Sequence, residues 1–243
     1  MTEPTTLYGI HGSHPCVTVE AGLRIKSLEY DKVDLPYGLA PFMQAVRFGK
    51  RTVPALTVGR QKVSGSRLIL RALDGLAPDP PFMPAAPAHR TAVDRADLWG
   101  DEVFQEHVRW IAILGLLGEP SVAPDYGSRS LPPLPARAYG PATVALFNAE
   151  MRLLGHPPGR VRSEYLPALP GHLDHIDALI DEGVIGGETP NVADLQLAGS
   201  LRLLVTMGDL RGAIDARPCG RLARRLVPDY DGAMPRGVLE SPL

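Results

Sequence analysis

Residues 77–87 read APDPPFMPAAP, and no regular element can run through them. Proline lacks an amide donor and fixes its own φ, so such a run ends any helix or strand that reaches it. The chain of 243 residues is therefore cut into parts that build their hydrogen-bonded structure separately. The expected division is a first domain over 1–76, a proline-rich linker over 77–91 and a second domain over 92–243. A second such stretch, 120–135, holds five prolines and reads as a long loop inside the later domain.

The two parts differ in pattern. Before the linker, residues 6–10 read as a short strand and 15–28 as a helix with Val17, Ala21, Ile25 and Leu28 on one face. A strand over 29–35, a helix over 40–48 and an apolar strand over 53–58 follow. A turn at Gly59-Arg60 leads to a short strand at 61–63, then a helix over 64–73 with Leu68, Ile69 and Leu73 inward. The order is βαβαββα. After the linker no strand is read. Helical spacing runs through 91–117 (Val93, Leu98, Val103, Val108, Ile111, Leu114), 141–154, 172–182, 191–206 and 217–227. A mixed α/β half followed by an all-α half predicts two domains.

Composition narrows the function. A formal net charge of -2 gives no field to draw in nucleic acid or an anionic membrane. Residues 1–6 lack the apolar stretch of a signal peptide. No run approaches the roughly 18 apolar residues that span a bilayer. Cys16 and Cys219 lie at opposite ends of the chain and form no disulfide framework. The expectation is a soluble protein of the cytoplasm. His172 and His175 have helical spacing but no third ligand, so no metal is expected.

Three short motifs carry chemistry. Gly12-Ser13-His14-Pro15-Cys16 joins the first strand to the first helix. Free amides and a partial positive charge at a helix start stabilise a thiolate placed there. Ser13 can donate a hydrogen bond to such a thiolate or cap the helix, and the two roles are compatible. His14 reads as a solvated neighbour. Thr52-Val53-Pro54 opens an apolar strand, where proline is tolerated. A cis Val53–Pro54 peptide would turn the Val53 backbone outward to pair with an extended peptide. Gly65-Ser66 begins the next helix, where a hydroxyl and amides can receive a carboxylate. In the second half, Asn191 and Asp194 fit a capping box.

Taken in order, S-x-P-C at a helix start, T-V-P before a strand, G-S at a helix start and a late N-x-A-D resemble the cytosolic glutathione transferase superfamily, from Leu7 to about Val227. The resemblance implies a thioredoxin-like N-terminal domain, a helical C-terminal domain and a homodimer. It implies glutathione as co-substrate, with its thiolate near Ser13 attacking a small electrophile. Cys16 falls on the second cysteine of a thioredoxin C-x-x-C. Val53 and cis-Pro54 would pair with the tripeptide backbone, Ser66 would hold the γ-glutamyl carboxylate, and Lys50 or Arg51 would add positive charge. Gly65 stands where the family carries an acid or amide, which leaves room for another low-molecular-weight thiol. Arg51-Thr52 gives the segment a glutaredoxin-like look. His11, Trp99, Phe104 and Trp110 are candidates for an electrophile pocket. The alternatives are a thiol–disulfide oxidoreductase using Cys16 and a non-catalytic binding protein on the same fold.

Overall fold

A computed structural model describes residues 3–131 and 136–239. The ends of the two expected domains, and residues 132–135 of the expected long loop, lie outside the described residues. In the first half, β1 (Thr5–Gly9), α1 (His14–Ile25), β2 (Asp31–Asp34), α2 (Ala40–Phe48), β3 (Ala55–Val58), β4 (Gln61–Ser64) and α3 (Ser66–Leu76) follow the expected order. The sheet order is β2-β1-β3-β4. β1 pairs parallel with β2 and antiparallel with β3, in a register that sets Leu7 against both Lys32 and Leu56. This is a thioredoxin-like sheet. Leu7 and Leu56 are buried from both sides of the register, and Val19, Leu23, Ile69, Leu70 and Leu73 close over them from α1 and α3.

Leu68 departs from expectation. It is 56% exposed, and Leu70 takes the inward place. Each residue advances about 100° around a helix, so the buried set Ser66, Ile69, Leu70 and Leu73 leaves Leu68 on the far face.

The second half is helical. α4 (Pro87–Trp99) runs through a π-helical turn (Gly100–Phe104) into α5 (Gln105–Gly118). The expected linker thus ends at residue 86, and α4 takes in the rest. Leu98 is 39% exposed rather than core. The prolines after 119 are not all loop: Pro120–Val122 forms a 3-10 turn and Ala123–Gly127 forms α6. α7 (Ala136–Leu153), α8 (Pro158–Arg160), a second π turn (Val161–Tyr165), α9 (Leu166–Asp181), α10 (Val192–Val205), α11 (Gly208–Asp215) and α12 (Pro218–Leu226) complete the order. Among the described residues no helix is long and apolar enough to cross a membrane.

α10 is buried along its whole length and packs against α1. Gly199 allows that approach, because a Cβ there would collide with the Thr18 hydroxyl and crowd the His14 carbonyl. The proline-rich linker is held as well. The buried Lys26 ammonium donates to Asp74 Oδ1 (2.7 Å), to the Ala77 carbonyl (2.6 Å) and to the Pro80 carbonyl (2.6 Å), and sits 4.3 Å from the Phe82 ring centroid. Asp74 in turn accepts the Phe82 and Met83 amides. Breaking a buried ion pair from one side strands the remaining partners. Lys26→Met is expected to lower the unfolding free energy by about 2–3 kcal/mol in urea titrations; a change under about 0.5 kcal/mol would refute the clamp.

Candidate active site

Two helix starts and one strand start meet at the seam between the halves. α1 begins at Ser13, α3 begins at Gly65, and β3 follows the cis Val53–Pro54 peptide. A cleft of about 170 Å³ lies there. Its first wall is Pro15, Thr52, Val53, Gly65 and Ser66; its second wall, from the helical half, is Asp101, Gln105 and Arg109. The structure therefore brings together Val53, Gly65 and Ser66. Lys50 and Arg51 are exposed on the approach to Thr52.

Gly65 has φ +92°, and its amide donates to the Pro54 carbonyl at 2.9 Å. A side chain would have open space but a strained backbone. That conformation accounts for a glycine where the resemblance expects an acid or amide. Ser66 is 2% exposed, and it shares the cleft with Asp101. Burial holds the Asp101 carboxyl above the ordinary value, while Arg67, Gln105 and Ser66 pull it down. Asp101 Oδ1 also accepts from Gln105 Nε2 and Gln196 Nε2, each at 3.2 Å.

The loop before α1 is tightly organised. The Ser13 amide donates to the Ile10 carbonyl at 3.1 Å, and the Ser13 carbonyl accepts the Cys16 and Val17 amides at 2.9 and 3.0 Å. Its side chain makes no capping bond to the helix, so the hydroxyl is not consumed as a cap. Ser13 lines neither of the two cavities described here and sits in the chain between them. Cys16 points the other way. It is 1% exposed, its sulfur lies where a Gly9 side chain would be, and burial pushes its thiol up to about 11 although the nearby Ser13 side chain pulls it down.

His14 is not the solvated residue expected. It is buried, its Nε2 lies 3.3 Å from the Gln105 carbonyl, and burial with the nearby Arg109 charge depresses it to about 3. The expected electrophile pocket is not assembled. His11 lies under the C-terminal segment, with Nε2 2.9 Å from Asp231 Oδ2. It lines a separate cavity of about 250 Å³ with Glu20, Arg24, Lys32 and Tyr230. Phe104 and Trp110 are core residues. Trp99 stacks on Phe104 and meets His172 and His175 edge-on, and Trp110 stacks on His156. Aromatic side chains on these helices fill the interior because the helix is covered on several sides.

Sequence reading missed Asp101, Gln105, Arg109 and Gln196. The first three recur every four residues within an apolar helix, which places them on one face; that spacing was the available signal. Among the described residues no cluster of His, Cys, Asp and Glu is built to hold a metal ion.

Residues 7–81 match the family described as glutathione S-transferase, N-terminal domain. The N-terminal part of the chain, residues 7–81, is thus similar to the N-terminal domain of glutathione S-transferases. Solved glutathione transferase folds cover it nearly end to end. The beta-etherase LigF from Sphingobium sp. strain SYK-6 aligns with TM-score 0.62 and 16% identity over 93% of this chain and 99% of its own. A glutathione S-transferase from Rhodospirillum rubrum F11 aligns at 0.59 and 19% over 98% and 100%. FzlA from C. crescentus aligns at 0.59 and 19% over 98% of each chain. At such identities the likeness is one of fold. A comparison with curated proteins gives no match.

Proposed function

We propose that this protein is a glutathione transferase, which binds glutathione, or a similar low-molecular-weight thiol, along Val53 and Ser66 and holds its thiolate at the start of α1 for attack on a small electrophile. The observation that carries the reading is the cleft in which Val53, Gly65 and Ser66 share one wall at the start of α3. A carboxylate there meets amides and a hydroxyl at a helix N-terminus. Val53 offers its backbone to an extended peptide. The thiol end then lies toward Pro15 and Ser13, where the Ser13 hydroxyl donates to the sulfur and the helix start favours negative charge. The thiol proton leaves to solvent. The sulfur lone pair forms the new bond to carbon, and the leaving group departs with its electron pair.

A reductase that uses Cys16 as nucleophile ranks lower, because a buried thiol raised to about 11 is neither ionised nor reachable. Exposed Leu68 and Leu76 on α3, with Leu98 on α4, support a homodimer in which these faces meet across a two-fold axis. We place the protein in the cytoplasm, in keeping with two free, buried cysteines.

Calorimetry with reduced glutathione is the first test. Wild type is expected to bind, and Ser66→Ala to bind about tenfold more weakly, the loss of one charge-assisted hydrogen bond. Ser13→Ala is expected to keep its binding but to raise the bound thiol's titration by about two units and lower turnover about 10²-fold. Cys16→Ala is expected to stay within about twofold of wild type. Absence of glutathione binding to wild type would end the reading for this thiol, and disulfide reductase activity lost in Cys16→Ala would reverse the ranking.

A further inference from the structure

The helical wall of the cleft carries its polar groups in a line. Asp101, Gln105 and Arg109 are spaced four residues apart along the turn and helix that face Pro15, Thr52, Val53, Gly65 and Ser66. At about 1.5 Å per residue the line is about 12 Å long. Two of the three are already engaged with protein partners. Asp101 accepts from Gln105 and Gln196, and Gln105 also accepts from Gln196.

Arg109 is different. It is half-buried, and among the described residues it has no hydrogen bond and no ion pair, its only recorded influence being that of its charge on His14, Tyr37 and His156. The neighbouring guanidiniums show the contrast. Arg67 and Arg71 are both committed to Asp94 and Asp97. Glu150 beside Tyr37 accepts from the Tyr37 hydroxyl. An arginine that lines a cleft with no carboxylate partner is free to receive one, and its planar fork matches a carboxylate.

We propose that Arg109 is a specificity residue for the second substrate and that the electrophile carries a carboxylate or similar anion which this side chain receives. The inference rests on the glutathione reading above. With the tripeptide along Val53 and its γ-glutamyl end at Ser66, the end of the line that carries Asp101 belongs to the thiol co-substrate. Arg109, two turns further along and in the same cleft as Pro15, faces the region where the sulfur meets its target.

Stable S-substituted glutathiones test this directly. S-(4-carboxybenzyl)glutathione and S-benzylglutathione differ only in the anion beyond the sulfur. Calorimetry on wild type is expected to show the carboxylated conjugate bound about tenfold more tightly. Arg109→Gln is expected to abolish that preference while leaving the affinity for reduced glutathione within about twofold, and Arg109→Lys to keep part of it. Equal binding of the two conjugates to wild type overturns the assignment and leaves the thiol reading intact. A loss of affinity for reduced glutathione in Arg109→Gln as large as the loss for the carboxylated conjugate also overturns it, because the guanidinium would then hold the tripeptide itself. Failure of both conjugates and of glutathione to bind wild type overturns the thiol reading, and the assignment with it.

Discussion

Asp194→Ala is expected to lower the unfolding free energy by about 4 kcal/mol. The carboxylate is completely buried. Its Oδ1 accepts the Gly186 amide at 2.7 Å and its Oδ2 accepts the Asn191 amide at 2.9 Å. Asn191 answers by accepting the Ala193 and Asp194 amides and by donating Nδ2 to the Val184 carbonyl. Removing the carboxylate orphans two buried amides, at about 1–3 kcal/mol each, and weakens the cap of a helix buried from end to end. Asp194→Asn keeps one good acceptor and is expected to cost roughly half as much. Urea unfolding followed by circular dichroism checks both. A loss below about 1 kcal/mol for the alanine variant would mean the capping box is decoration on a helix held by packing alone.

The second large effect is a loss of stability on mild acidification. His14 is depressed to about 3 by burial first and by Arg109 second, and His172 to about 4 by burial first and by its neighbours His107 and His175. His172 Nε2 lies 2.8 Å from His107 Nδ1, a pairing that needs one of the two rings as acceptor. Both rings titrate near 6.5 in the unfolded chain. Below pH 6.5 the unfolded chain therefore takes up protons that the folded chain refuses. Stability is complete above that pH and falls with it down to about 3 to 4. Each group contributes up to about 1.4 kcal/mol per pH unit, with His172 discounted because its ring is half in solvent. From pH 7.5 to 5 the unfolding free energy is expected to drop by about 3 kcal/mol. Below that range Asp97, Asp101 and Asp194, whose carboxyls burial pushes up, act in the opposite sense. His172→Gln should flatten the profile. A curve level between pH 7.5 and 5 would refute the neutral, buried state of these rings.

The parts of this architecture written in local chemistry were legible. α2 has the expected bounds, and the capping box at Asn191 and Asp194 is complete on both sides, because proline, glycine and short polar side chains act on their own few neighbours. The βαβαββα order came from the same signals. Tertiary choices were hidden. Trp99, Phe104 and Trp110 looked like pocket aromatics, but only the placement of the later helices decides that Phe104 and Trp110 are interior and Trp99 packs beside them. Leu68 and Leu98 looked inward because an apolar residue on a helix does not reveal which face the sheet will take. α11 was missed: its N-cap, Met207, makes no side-chain capping bond, it holds two glycines, and its Asp209 instead gathers the Gly237, Val238 and Leu239 amides. The cleft's first wall was readable from Val53 and Ser66, while its second wall needed the helical half folded against it.

The clamp on the linker has a further consequence for how the molecule yields. The Lys26 ammonium, the buried Phe82 ring and the glycine contact of α10 with α1 all straddle the boundary that the prolines draw. Neither half can be released without uncovering an apolar face shaped to the other, so both should denature in one cooperative step. A protease meets residues 77–86 as bound chain rather than as a tether. The two walls of the cleft keep a fixed spacing for the same reason. Entry to the cleft is then expected to need side-chain movement at its mouth rather than the opening of a hinge.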